Sequence, residues 1–284
     1  MKKLTLIGTG TLGSAIARRL SQQGFDLMVY NRTKEKALKL SAMGIHVADN
    51  IRVALEHSDR ILLVLSEKRA IDALIKKDDL VFENKLILQM GTITSKESVD
   101  LDEYIRSKGG EYLEAPVLGS RNETSKGALL IMVGGDSGLY QAQKDYLDVL
   151  GPSFYIGQVG MAATIKLALN HLIAAHAYAF SFSLGMVEKK GVPVEVFNTI
   201  LKKSSLYAPM YDKKFEGWIK RDFSNPNFPT KHLLKDVSLI IKEAQEQNID
   251  TQLMRALTNV IRKSLEMGLE DQDYSSIFRS INNL

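Results

Sequence analysis

Lys3-Leu4-Thr5-Leu6-Ile7-Gly8-Thr9-Gly10-Thr11-Leu12-Gly13 opens the chain and decides the reading of its first half. Lys3 to Ile7 reads as a short buried strand. Ser14 to Gln23, with Ile16, Ala17 and Leu20 on one face, reads as a helix that Gly24 ends. Asp26 to Tyr30 is the next strand. A G-x-G-x-x-G thus stands between a strand and a helix, within a unit of about 30 residues. Its glycines suit a tight turn, close approach of backbone to a pyrophosphate, and close packing of helix on strand. The helix N-terminus offers N–H groups to the phosphates. Gly8, Gly10, Thr11, Leu12 and Gly13 are therefore the candidate dinucleotide contacts.

The end of the second strand selects the cofactor. An acidic residue there would bind the ribose hydroxyls of NAD. This chain has Asn31-Arg32-Thr33. An arginine pairs with a 2′-phosphate through charge-assisted hydrogen bonds, and its neighbours can add neutral ones. The expectation is NADP(H) in preference to NAD(H). Thr33 also suits the N-cap of a helix from Lys34 to Ala42.

Further elements alternate. Ile51 to His57 is helical, Arg60 to Leu65 an apolar strand, and Leu86 to Gln89 another. Such alternation predicts a doubly wound parallel sheet of Rossmann type. Ligands lie beyond the carboxyl ends of its strands, which brings in Leu65, Ser66 and Thr92. Glu111 to Glu114 leads into Ala115-Pro116-Val117-Leu118-Gly119-Ser120, a fixed turn whose amides and hydroxyl can hold a carboxylate. Arg121 to Lys126 reads as a polar loop, Ala128 to Val133 as a strand, and Ser137 onward as a helix.

From Met161 the pattern is helical to the end, so an all-α domain of residues 159–284 follows a dinucleotide-binding domain of residues 1–158. A long helix links them and carries Lys166, Asn170 and the apolar run Leu172 to Val187. An unpaired ammonium is costly to desolvate, so Lys166 either snorkels to water or has a task. Asn170 is one turn on, on the same face. Lys231 and Lys235 share a face of a later helix.

Composition narrows the classes. With no cysteine, disulfides, thiolate catalysis and zinc–thiolate sites are excluded, and no metal site is expected. The 37 basic and 33 acidic residues are interspersed, which argues against a nucleic-acid partner. The apolar run is short for a membrane span and Leu4 to Ile7 is short for a signal core, so the expectation is a cytoplasmic protein without a membrane segment.

Five stretches together resemble the β-hydroxyacid dehydrogenases, which include 3-hydroxyisobutyrate dehydrogenases and glyoxylate/succinic semialdehyde reductases. They are Gly8 to Gly13, Asn31-Arg32-Thr33, Ala115 to Ser120, Gly157 through Lys166 to Asn170, and Phe228-Pro229-Thr230-Lys231-His232-Leu233-Leu234-Lys235-Asp236. The resemblance implies Lys166 as catalytic acid/base, Asn170 as substrate support, Gly119-Ser120 as carboxylate holder, and Thr92 and Lys235 as cofactor contacts. Phe228 and Asp236 match substrate-pocket positions of the semialdehyde reductase branch, which the chain resembles more. The resemblance also implies a homodimer or dimer-based oligomer and a small carboxylate-bearing substrate. Leu118, His171 and Glu114 depart from the family pattern, which often has serine, asparagine and aspartate there. The alternatives are a 3-hydroxyisobutyrate-type dehydrogenase, an imine reductase-like enzyme and a non-catalytic NADP-binding protein.

Overall fold

The computed structural model describes residues 2–76 and 80–283. Its strands are β1 (Lys3–Ile7), β2 (Asp26–Tyr30), β3 (His46–Val47), β4 (Arg60–Leu63), β5 (Leu86–Gln89), β6 (Glu111–Glu114), β7 (Val117–Leu118), β8 (Leu130–Gly135) and β9 (Ser153–Gly157). Between them run α1 (Thr11–Gln22), α2 (Lys34–Leu38), α3 (Ile51–His57), α4 (Lys68–Ile75), α5 (Ser95–Ser107), α6 (Arg121–Lys126) and α7 (Ser137–Leu147). Then follow α8 (Met161–Lys189), α9 (Val194–Lys203), α10 (Met210–Lys220), α11 (Thr230–Glu246), α12 (Gln252–Glu266) and α13 (Ile277–Asn282). Two compact units divide at Leu167 and Ala168.

The first unit is built on one sheet of order β3-β2-β1-β4-β5-β6-β8-β7, with β9 on β8. The pairs from β3 through to β6 are parallel; β8 is antiparallel to β6 and β7. Alternate side chains of a strand point to opposite faces. Leu4 and Leu6 of β1 and Leu62 of β4 enter one apolar core, while Ile7, Ile61 and Leu63 enter the other. Both faces are therefore covered, as the unbroken apolar strands require. The order turns back between β1 and β4, so their carboxyl ends frame a topological switch point, where open α/β sheets bind ligands.

In the second unit α8 lines two apolar clusters. One joins Ala174 and Ala177 to Leu233, Val237, Leu257, Ile261 and Ile277. The other joins Phe180 and Leu184 to Tyr211, Trp218, Phe223 and Phe278. Among the described residues no helix is long and apolar enough to cross a membrane.

Two local expectations change, and α8 adds an observation of its own. Arg121 to Lys126 is a helix: Ser120 and Glu123 form a capping box before it, and Gly127, with φ +66°, ends it. The helix after Thr33 stops at Leu38 and continues as a 3₁₀ turn over Ser41–Met43, and Thr33 makes no side-chain cap bond. Finally, α8 is apolar on more than its buried face. Met161, Leu172, Phe182 and Met186 are exposed within this chain, because its own helices cover only the side carrying Ala174, Ala177 and Leu184.

Candidate active site

The carboxyl ends of β1, β4 and β5 are drawn together through glycines. A Cβ on Gly8 would lie 2.3 Å from the Val64 carbonyl oxygen, and one on Gly91 2.0 Å from that of Leu65. A Cβ on Gly13 would lie 1.9 Å from the Gly8 oxygen, so α1 packs directly on the loop. Gly10 differs: it is exposed, and nothing stands within 4 Å of where its Cβ would be. It is also the N-cap of α1, which has no side-chain cap and no acidic residue in its first turn. A pyrophosphate fits this arrangement, with room at Gly10 and uncapped N–H groups of the first turn, Thr11 and Leu12 among them, to receive it.

Asn31 has a structural task that its sequence position did not announce. Its Oδ1 accepts the Thr9 N–H at 3.0 Å and its Nδ2 donates to the Thr33 carbonyl at 2.9 Å, bracing the glycine loop against the end of β2. Arg32 and Thr33 are exposed beside it. Leu65 and Ser66 lie just past β4 and Thr92 just past β5, on the same rim as the loop.

The turn at Gly119 and Ser120 is less open than its sequence implies. Gly119 has φ +124°, a conformation suited to glycine. The Ser120 N–H expected to meet a carboxylate of the substrate donates instead to the Glu123 carboxylate at 2.8 Å. The spacing Ser120-x-x-Glu123 is the signal that would have shown this.

Lys166 does not snorkel. The residue is 8% exposed and lies on α8, with Asn170, 5% exposed, one turn on. The Asn170 amide donates through Nδ2 to Asp236 Oδ2 at 2.6 Å, and Lys235 Nζ lies 2.7 Å from Asp236 Oδ1. Asp236 is itself buried. The amide is thus oriented by a buried carboxylate that a lysine partly neutralises. Phe228 stacks on His232 and meets Tyr274 edge-on, two turns before Asp236. His171 is half-buried. Lys231 pairs on the surface with Asp271, an ordinary solvated pair.

Comparison with known proteins agrees with both halves. Residues 3–160 match the model of the NAD binding domain of 6-phosphogluconate dehydrogenase. Residues 160–281 match the model described as NAD-binding of NADP-dependent 3-hydroxyisobutyrate dehydrogenase. The chain is 30% identical over 280 residues to glyoxylate/succinic semialdehyde reductase 1 of Arabidopsis thaliana, covering 97% of this chain and 96% of that one. It is 29% identical to the chloroplastic reductase 2 of the same plant, covering 97% and 78%. In fold it is similar to a 3-hydroxyisobutyrate dehydrogenase from Salmonella typhimurium, with a TM-score of 0.87 at 17% identity over 98% and 99% of the two chains. A Rossmann-type unit with its glycine loop at the switch point, continued by a helical unit along a helix that buries a lysine, identifies the chain as a member of the β-hydroxyacid dehydrogenase family of nicotinamide-dependent oxidoreductases.

Proposed function

We propose that this protein reduces a small oxo acid or carboxylate semialdehyde with NADPH, or oxidises the corresponding hydroxy acid, in the manner of the glyoxylate/succinic semialdehyde reductases it resembles. The observation that carries the reading is the buried pair Lys166 and Asn170 on one helix face, with Asn170 oriented by Asp236. A nicotinamide supplies the hydride when bound. Lys166 Nζ then gives a proton to the oxygen that becomes an alkoxide, or takes one in the reverse direction. Asn170, its amide held by Asp236, orients that oxygen, and Phe228 lines the substrate's apolar part.

Gly8, Gly10, Thr11, Leu12 and Gly13 hold the pyrophosphate. Arg32, with Asn31 and Thr33, faces the 2′-phosphate. Leu65, Ser66, Thr92 and Lys235 complete the cofactor's surroundings. A substrate carboxylate at Gly119 and Ser120 uses the hydroxyl, or displaces Glu123 from the Ser120 amide. In this reading residues 1–158 hold the cofactor, and residues 159–284 serve substrate binding and dimerisation. Exposed Leu172, Phe182 and Met186 of α8 and Val196 and Ile200 of α9 support self-association through that second part.

The test is NADPH and NADH oxidation with glyoxylate, succinic semialdehyde and methylmalonate semialdehyde, for wild type and Lys166→Met. Turnover on one of these is expected in wild type, and its loss with NADPH binding intact in the variant. Wild-type turnover by Lys166→Met would sink the mechanism. Tight NADPH binding without turnover on any substrate would instead favour a non-catalytic NADP-binding protein.

A further inference from the structure

The helix that carries Lys166 starts without a cap of its own. Gly160 is its N-cap: its carbonyl accepts the Thr164 N–H at 3.0 Å, its φ is +99°, and it has no side chain to offer the amides that follow. Those amides find Glu114, at the end of β6. Glu114 Oε1 accepts the Gly160 N–H at 2.9 Å and the Ala162 N–H at 2.8 Å. Oε2 accepts the Ser98 hydroxyl at 2.7 Å, and the Tyr112 hydroxyl lies 2.9 Å from the same serine oxygen. Ser98 donates to the carboxylate, so Tyr112 donates to Ser98. Ser98 and Tyr112 are fully buried and Glu114 nearly so. Space for the carboxylate exists because residue 134 is glycine; a Cβ there would stand 2.3 Å from Glu114 Oε1.

A carboxylate in such a place is costly unless fully hydrogen-bonded. Burial pushes the Glu114 carboxyl above its usual range, while Ser98 and the amides of Ala162, Ala163 and Gly160 pull it back. The positive end of the α8 dipole also favours the negative charge. The arrangement therefore ties the first turn of α8 to the sheet at one point. Lys166 is four residues after Ala162, on the same helix face. We infer that Glu114 is a positioning residue for Lys166: by anchoring the first turn of α8 it sets where the Lys166 ammonium is presented. This rests on the reading of Lys166 as the proton donor.

Glu114→Gln keeps the shape and removes the charge. Gly134→Ala keeps the charge and pushes the carboxylate off the helix, which covers the case in which Glu114→Gln does not fold. Ser98→Ala removes one donor and leaves the helix amides bound. Two readouts are needed: amide hydrogen exchange over residues 158–166, and kcat measured per folded enzyme beside the NADPH dissociation constant. In Glu114→Gln and Gly134→Ala the first turn of α8 should exchange faster and kcat should fall roughly ten- to a hundredfold, as for a catalytic group misplaced by about 1 Å. NADPH affinity should hold, and Ser98→Ala should keep kcat near wild type. A role confined to stability would lower the melting temperature and leave kcat unchanged. With Lys166→Met inactive, that result overturns the positioning role alone. Wild-type turnover by Lys166→Met overturns the reading of the lysine, and the positioning role falls with it.

Discussion

Alanine at Gly13 and alanine at Gly10 should fail in different ways, although both lie in one G-x-G-x-x-G. At Gly13 the new Cβ would stand 1.9 Å from the Gly8 oxygen, with Leu6 Cδ2 3.6 Å away on another side. An ordinary contact begins at 3.4 Å, so α1 and the loop must separate by about 1.5 Å. Overpacking of that kind costs about 1–3 kcal/mol. At about 2–4 °C per kcal/mol for a protein near this size, the melting temperature should fall by several degrees. At Gly10 the backbone has φ −70° and ψ −167°, which alanine adopts freely, and no atom lies within 4 Å of its Cβ. Stability should hold, or rise by up to about 1 kcal/mol as the unfolded chain loses freedom. The methyl would instead occupy the space through which the pyrophosphate approaches the backbone. NADPH binding should weaken at least about tenfold, or about 1.4 kcal/mol. Thermal melts without cofactor and fluorescence titration with NADPH separate the two effects. Wild-type NADPH affinity in Gly10→Ala, or an unchanged melt in Gly13→Ala, would refute the division of labour.

Arg32→Ala should weaken NADPH by about 1.5–3 kcal/mol, the worth of hydrogen bonds to a charged group, and leave NADH nearly untouched; equal loss for both cofactors would show that Arg32 does not meet the 2′-phosphate. At high pH the buried phenols decide stability. Burial raises the Tyr112 and Tyr274 hydroxyls above their ordinary value. Each contribution is therefore complete below the unfolded pKa of about 10 and is lost as pH climbs from there toward the folded value, because the unfolded chain ionises first. Urea unfolding between about pH 9 and 11 should show stability falling in wild type and falling less in Tyr274→Phe. Parallel curves would mean that Tyr274 titrates alike in both states.

What could be read from the sequence was what neighbouring residues decide. The strand, glycine loop and helix at Lys3 to Gln22 lie within a few turns of chain, and each glycine's place follows from the type of turn. Lys166 and Asn170 share a face because of helical pitch alone. What could not be read depends on partners far along the chain. Asn31 reaches Thr9 across 22 residues, and Asp236 reaches Asn170 across 66. The strand at β8 is legible in its apolar run, but its antiparallel direction is set by β6 and β7, far along the chain, and the two-residue β7 carries too little pattern to be read. The polar stretch after Ser120 is a different case. Its capping box was present in the sequence, but a six-residue helix of polar residues has no apolar stripe to announce it.

Glu114 combines a local feature with a long-range one. In the sequence it stands where the family the chain resembles often has aspartate, and residue type alone does not say what the longer side chain reaches. In the fold the side chain spans from the end of β6 to the amides of Gly160, just before α8, and Ala162, in its first turn, and the extra methylene extends that reach. The longer side chain fits because the position across the sheet, Gly134, has no Cβ; the pair Leu113–Gly135 and Glu114–Gly134 sets that register. A carboxylate, a glycine and a helix start that lie 20 to 46 residues apart in the chain therefore constrain one another. An aspartate here would ask either for a closer approach of α8 or for a hydrogen bond given up, so the length of residue 114 and the seat of the Lys166 helix are a single structural variable.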